Sequence, residues 1–236
     1  METIESYFKT INYPGRGIVV GANKTLKEMF IAYFIMGRSE NSKNRIFELD
    51  EEKSLKTKPF KKEKVENEGL IIYRAVAKFK EKIIISNGRH TETIIEGLKK
   101  GKTFSESLKE TSFEQDPPIL TPRISALLEL DEPKIKYTLS IIKSNQNETS
   151  VKRFFYSFQP PLKEIGHLIH TYKPKENNET NSFFGEPIEL KIPETLDEFE
   201  KEIWNSLNQE HKISLFTMSI NIKTKEEKTK IINKNS

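Results

Sequence analysis

The segment Glu28-Met-Phe-Ile-Ala-Tyr-Phe-Ile-Met-Gly37 most constrains the fold. Its side chains are apolar on both sets of alternating positions, so a strand here needs cover on both faces. Gly17-Ile-Val-Val-Gly-Ala22 precedes it across a turn at Asn23-Lys24 and reads as its hairpin partner. Further strands are predicted over Leu70 to Phe79, Lys82 to Ser86, Val151 to Phe158 and Ile165 to Tyr172. Ile135, Tyr137, Leu139 and Ile141 alternate strictly, as on a half-buried antiparallel strand. The last strand is 212–222, where a phase shift between Leu215 and Phe216 suggests a bulge.

Helices are expected over 91–100, after the capping box Thr103-Phe-Ser-Glu106, and after a second box, Thr195-Leu-Asp-Glu198. In the last of these, Leu196, Phe199, Ile203 and Leu207 form one stripe. Strands and helices come in blocks, without regular βαβ alternation, which argues against a doubly wound parallel sheet. The expected fold is α+β, a four-layer αββα sandwich of two mostly antiparallel sheets. Residues 1–222 read as one domain and 223–236 as a polar basic tail that frays. Residues 51–68, with six Lys and five acids, read as a solvated excursion, and 173–182 as a polar loop suited to close over a site.

Composition narrows the chemistry. The 236 residues include no cysteine, which excludes a thiol nucleophile, thiolate–zinc and iron–sulfur chemistry. Charged residues make up 31%, but 39 basic against 35 acidic residues leave only +4, with the signs interspersed. Nucleic acid is therefore not an expected partner. No apolar run approaches the ~20 residues of a membrane span, and the acidic start Met1-Glu-Thr-Ile-Glu5 does not resemble a secretory signal. The expectation is a soluble cytoplasmic protein with no membrane partner; a homo-oligomer is compatible with it. His167 and His170, three apart on a strand, point to opposite faces, which disfavours joint ligation of a metal.

Four segments carry candidate chemistry. Tyr13-Pro-Gly-Arg-Gly17 places Arg16 between two glycines, an arrangement that suits an anion but also a plain turn. Gly37-Arg-Ser-Glu-Asn-Ser-Lys-Asn-Arg45 gathers Arg38, Lys43 and Arg45 with Ser39, Asn41, Ser42 and Asn44, a set able to grip phosphate and hydrogen-bond a base or ribose. Asn87-Gly-Arg-His-Thr-Glu92 lies at a strand-to-helix junction. Phe113-Glu-Gln-Asp-Pro-Pro-Ile-Leu-Thr-Pro-Arg-Ile-Ser125 stiffens Glu114, Asp116 and Arg123 with prolines.

Together these segments resemble the inosine monophosphate (IMP) cyclohydrolase family, in its stand-alone archaeal and bacterial form. Ala32 to Arg45 is the long and specific stretch. It is supported by 13–17, Leu-Ile-Ile-Tyr at 70–73, Ser-Asn-Gly with Thr-Glu-Thr-Ile, Phe-Glu-x-Asp before Thr-Pro-Arg-Ile-Ser, and His-Thr-Tyr with Gly-Glu-Pro at 170–172 and 185–187. The resemblance implies an Ntn-hydrolase-like sandwich and closure of 5-formamidoimidazole-4-carboxamide ribotide to IMP with loss of water in purine biosynthesis. It implies a purine ribonucleotide substrate and no cofactor. By matched position, Glu114, with Asp116 in reserve, serves the acid/base step. Tyr73 donates toward the formyl oxygen, and Asn87 and Glu92 position the base. Arg38 and Arg123, then Arg16 and Arg45, hold the substrate with Asn44, and Glu186 orders a covering loop.

Bacterial relatives carry Asn-Gly-Asp-Gln-Thr-Asp where this chain has Asn87-Gly-Arg-His-Thr-Glu92. That departure motivates an alternative, a catalytically altered purine-nucleotide binding protein of the same fold. A third reading, an Ntn-type amidohydrolase, needs an N-terminal Cys, Ser or Thr, which Met1-Glu2 does not provide.

Overall fold

The computed structural model describes residues 1–64, 72–131, 135–145, 150–174 and 180–235. Parts of three expected features, 65–68 of the excursion, 70–71 of a strand and 175–179 of the polar loop, lie outside the described residues. The chain opens with β1 (Glu2–Thr3) and α1 (Ile4–Thr10), followed by the hairpin β2 (Arg16–Ala22) and β3 (Glu28–Met36). One helical turn, α2 (Glu40–Lys43), leads into β4 (Arg45–Leu49) and β5 (Leu55–Pro59). Next come β6 (Arg74–Phe79), β7 (Lys82–Ser86), α3 (His90–Lys99) and α4 (Phe104–Ser107). The meander β8 (Arg123–Glu129), β9 (Lys136–Ser144) and β10 (Val151–Phe158) is followed by β11 (Ile165–His170) and a small hairpin, β12 (Tyr172–Pro174) and β13 (Thr180–Ser182). β14 (Ile188–Lys191), α5 (Leu196–Ser206), β15 (Lys212–Asn221) and β16 (Glu227–Asn233) complete the chain.

Two seven-stranded sheets result, in the orders β1-β14-β11-β2-β3-β15-β16 and β10-β9-β8-β7-β6-β5-β4. The short β1–β14 pair is parallel; the other pairings within these sheets are antiparallel among the described residues. β3 shows why four layers form. Ile31, Tyr33 and Ile35 meet the second sheet in a core with Ile83, Ile85, Ile124 and Tyr137. Phe30, Ala32, Phe34 and Met36 face the other way, against Phe8 of α1 and Phe199 and Ile203 of α5. Ile94 and Ile95 of α3, with Phe104 and Leu108, cover the far face of the second sheet at Ile84 and Leu127. Each large apolar side chain so buried contributes roughly 1.5–3 kcal/mol, and the doubly apolar strand finds a partner for both faces.

α5 starts where its capping box predicts. Glu198 N donates to Thr195 Oγ1 at 3.2 Å, and Thr195 N donates to Glu198 Oε2 at 3.1 Å. Thr195→Ala should lower stability by about 1 kcal/mol, read as a lower urea midpoint at unchanged slope. An unchanged midpoint would show that the cap contributes nothing.

Three expectations are corrected. The charged excursion contains β5, preceded by β4. Leu55 and Thr57 are buried, while Lys56 and Lys58 point out to Asp50 (2.9 Å) and Glu48 (2.7 Å), so surface charge masks an amphipathic hairpin. The irregularity in β15 lies between Lys212 and Ser214, not at Leu215; the shift seen at Leu215–Phe216 arises because both faces of this strand are buried. The tail does not fray. Residues 227–233 pair with β15 from Ile220 to Ser214 and form the sheet edge. The alternation in β9 holds, but Ser140 and Ile142 on its other face are buried as well. No helix among the described residues is long and apolar enough to cross a membrane.

Candidate functional site

A cavity of about 390 Å³ opens where the start of β2, the link from β3 to β4, the loop 113–122 and Tyr172 converge. Gly15 makes the first contribution possible. Its φ is 79°, and a Cβ there would lie 2.3 Å from Thr171 Oγ1 and 2.5 Å from the Tyr172 ring. The close approach allows Tyr172 N to donate to Pro14 O (3.1 Å) and Thr171 N to Arg16 O (2.9 Å), which fixes Arg16 at the cavity. Tyr13 stacks on Tyr172 at 5.9 Å, and the Arg38 guanidinium sits 4.4 Å from the Tyr13 ring centre.

The 37–45 link forms the second wall. A Cβ on Gly37 would meet Ser42 Oγ at 2.4 Å, so glycine lets α2 fold back over the end of β3. Arg38, Ser39, Asn41, Ser42 and Arg45 all face the cavity. Arg45 is 2% exposed; its Nε donates to Ser42 O (2.7 Å) and its Nη2 to Met36 O (3.3 Å). Buried Arg45 and half-buried Arg16 thus share the cavity. Burial, and then Arg16, lower the pKa of Arg45. Burial also opposes the Arg16 charge, but Glu114, followed by Tyr172, Tyr73 and Tyr33, outweighs it, and the Arg16 pKa is raised.

The loop 113–122 brings the carboxylates. Glu114 is 4% exposed, and Arg123 Nη1 donates to its Oε2 at 3.0 Å. Asp116 accepts from Thr121 N (2.7 Å) and from Thr121 Oγ1 (2.6 Å). The single Thr121 hydroxyl proton is thereby committed, so Tyr172 donates across the 2.6 Å contact between the two hydroxyls.

Arg16, Arg38, Arg45, Glu114 and Asp116 therefore line one cavity. Arg123 reaches it through Glu114. Its Nη1 would lie 2.4 Å from a Cβ on Gly88, so a side chain at Gly88 would displace it. The remaining candidates sit elsewhere. Asn87 is consumed by backbone, donating to Pro122 O (2.9 Å) and accepting from Ile124 N (2.9 Å). Asn44 is consumed in the same way by Lys61, at 2.7 and 2.8 Å. Tyr73 does not line the cavity, but it is close enough to act on the charges of Arg16 and Arg45, and its hydroxyl pairs with that of Tyr33 at 2.7 Å. Glu92 pairs with Arg74 at 3.1 Å, and Glu186 lies in a separate hollow with His167 and Glu189. Neither Arg89 nor His90 faces the cavity. Thr121 and Tyr172 do, although residue type alone did not single them out. Their signal lies in the Thr-Pro-Arg and His-Thr-Tyr matches.

Two buried polar atoms of the lining, Arg16 Nε and Asn41 Oδ1, have no partner among the described residues. One is a donor and the other an acceptor, and buried groups left this way can be satisfied by a water or by a ligand in the cavity. Among the described residues, no three His, Asp or Glu side chains come together in a metal-binding arrangement.

The family profile described as IMP cyclohydrolase-like protein matches residues 13–226, which include every segment lining this cavity. The chain belongs to the IMP cyclohydrolase-like family. Comparison with curated proteins gives no match. Family membership supports an activity related to that of IMP cyclohydrolases and a purine nucleotide as the kind of substrate.

His170, which holds the backbone of Tyr172 beside the cavity, should make the fold of this IMP cyclohydrolase-like protein pH-sensitive. His170 Nδ1 faces Tyr172 O at 2.8 Å and so carries the proton, while Nε2 accepts from Tyr7 Oη at 2.5 Å. Burial pushes the His170 pKa down to about 3. The unfolded chain protonates this residue near 6.5, so it binds the extra proton, and stability falls with pH from about 6.5 towards 3. At pH 5 the loss from His170 should be about 2 kcal/mol. His90, lowered to about 3 by burial and then by Arg123, acts in the same direction. Urea midpoints at pH 7 and pH 5 measure the effect; equal midpoints would contradict it.

Proposed function

We propose that this protein is an IMP cyclohydrolase, closing 5-formamidoimidazole-4-carboxamide ribotide to IMP with release of water. The observation that carries the reading is the pair of unpartnered buried atoms, Arg16 Nε and Asn41 Oδ1, in a cavity rich in arginine. A carboxamide, or the hypoxanthine ring it becomes, offers a carbonyl oxygen beside an N–H. It complements one donor and one acceptor at once.

The substrate holds both reacting groups, so orientation supplies much of the catalysis. The carboxamide nitrogen attacks the formyl carbon, a C–N bond forms, and one N–H proton passes to the formyl oxygen. Loss of that hydroxyl with the formamido N–H proton gives water and the closed ring. Glu114 takes the proton from the attacking nitrogen and returns it, oriented by Arg123 at 3.0 Å. Arg16 and Arg45 stabilise negative charge developing on the formyl oxygen. Arg38, held over Tyr13, binds the phosphate with Ser39 and Ser42. Arg123 is here a positioning residue, not a phosphate anchor. Asp116 holds Thr121 and, through it, Tyr172.

The test is incubation of the purified protein with the formylated ribotide, followed by the ultraviolet change of purine formation. Absence of turnover at every pH where the protein is folded would refute the proposal. Tight IMP binding by calorimetry without turnover would favour a binding protein instead.

A further inference from the structure

β16 lies beyond residue 226, where the family match ends. Its last residues cross from the edge of the first sheet to the edge of the second. Asn233 Nδ2 donates to Phe47 O (3.0 Å), and Asn233 Oδ1 accepts from Phe47 N (2.8 Å) and from Ser214 Oγ (2.7 Å). This amide gives β4, an edge strand, the two hydrogen bonds a neighbouring strand would supply. Two residues on, Asn235 Nδ2 donates to Lys43 O at 2.8 Å. Lys234 between them is tied down as well, its N donating to Ile213 O (2.8 Å) and its Nζ to Gln209 O (2.7 Å).

The two grips fall on either side of one residue. Lys43 and Phe47 stand two positions before and two after Arg45, the buried arginine of the cavity. Lys43 also ends α2, the turn that carries Asn41 and Ser42. Without the tail, α2 and the start of β4 would lose their hydrogen bonds to the first sheet through Asn235 and Asn233.

We propose that Asn233 and Asn235 are positioning residues: the C-terminal strand clasps the 43–47 segment and thereby sets the cavity wall, so that strand docking and cavity occupancy favour each other. The ligand half of this statement rests on the function proposed above; the clasp itself does not. Coupling of this kind is reciprocal. Whatever tightens the wall around a nucleotide tightens the strand, and loosening the strand weakens the nucleotide.

The test uses the full chain with Asn235→Ala, the conservative Asn235→Gln and the stronger Asn233→Ala. Hydrogen exchange without ligand should quicken over residues 39–47 in both alanine variants and stay unchanged in α5. In the ultraviolet assay, KM for the formylated ribotide should rise about fivefold in Asn235→Ala with kcat retained, and Asn235→Gln should restore it. IMP added to the unaltered protein should slow exchange over 227–235. Unchanged exchange at 39–47, or faster exchange spread evenly over the chain, would overturn the clasp. If the protein neither turns over nor binds nucleotide, the proposed function falls and the ligand-free exchange still decides the clasp. Should Asn233→Ala fail to fold, Asn235→Ala carries the comparison alone.

Discussion

Glu114→Gln should lower kcat for ring closure by about 10²–10⁴-fold, the range expected on losing a positioned general base. Affinity for IMP should change by no more than about threefold, because the proton that Glu114 transfers has already left and a glutamine oxygen can still accept from the ring N–H that remains. The substitution is a clean one. The glutamine amide would keep an oxygen to accept from Arg123, so the 3.0 Å contact has a replacement and the loop 113–122 keeps its anchor at Thr121 O. Steady-state rates by ultraviolet absorbance and product affinity by calorimetry separate the two effects. Full activity in the variant would remove Glu114 from the acid/base step. A matched fall in affinity would make it a binding group.

Arg16→Met should act in the opposite way. IMP and substrate affinity should fall by roughly 10²–10³-fold, as expected when a buried, charge-assisted donor is removed from a ligand. The folded protein should not suffer in proportion. Met fills much the same volume, and its presence relieves the repulsion that lowers the pKa of Arg45. Tm should move by only about 2–4 °C, the equivalent of ~1 kcal/mol for a chain of this size. A large affinity loss at nearly constant Tm would mark a residue held for its ligand, with Arg123 left to balance Glu114 in the variant. Unchanged nucleotide affinity would dissociate Arg16 from the site.

How much of this was readable beforehand depends on what each residue's surroundings reveal in one dimension. The doubly apolar β3 and the capping box at Thr195 could be read directly, because hydrophobic period and cap chemistry are local. β5 and β16 could not. Edge and near-edge strands carry lysines on their outer faces, and Lys56, Lys58, Lys228 and Lys230 made two real strands look like solvated chain. In the site, the arginines and carboxylates at 16, 38, 45, 114 and 116 were recoverable from their motifs, and they do meet. Asn87 and Asn44 have the right chemistry, but their amides are spent on Pro122, Ile124 and Lys61, which only the folded chain reveals. Glu92 and Glu186 were assigned by motif position, and the fold turns both away from the cavity. Tyr172 is marked by the His-Thr-Tyr match, but its place in the cavity depends on Gly15 admitting its ring, which the sequence does not show.

The cavity borrows its walls from segments some 160 residues apart, Tyr13 at one extreme and Tyr172 at the other. Local hairpins such as β2–β3 can zip early, but such distant partners must wait for loop closure across most of the polypeptide. On the proposed function, nucleotide capture is thus a late event in the life of a newly made molecule. During refolding, the far-ultraviolet signature of strands should return first, and retention on an immobilised purine ribotide should trail it.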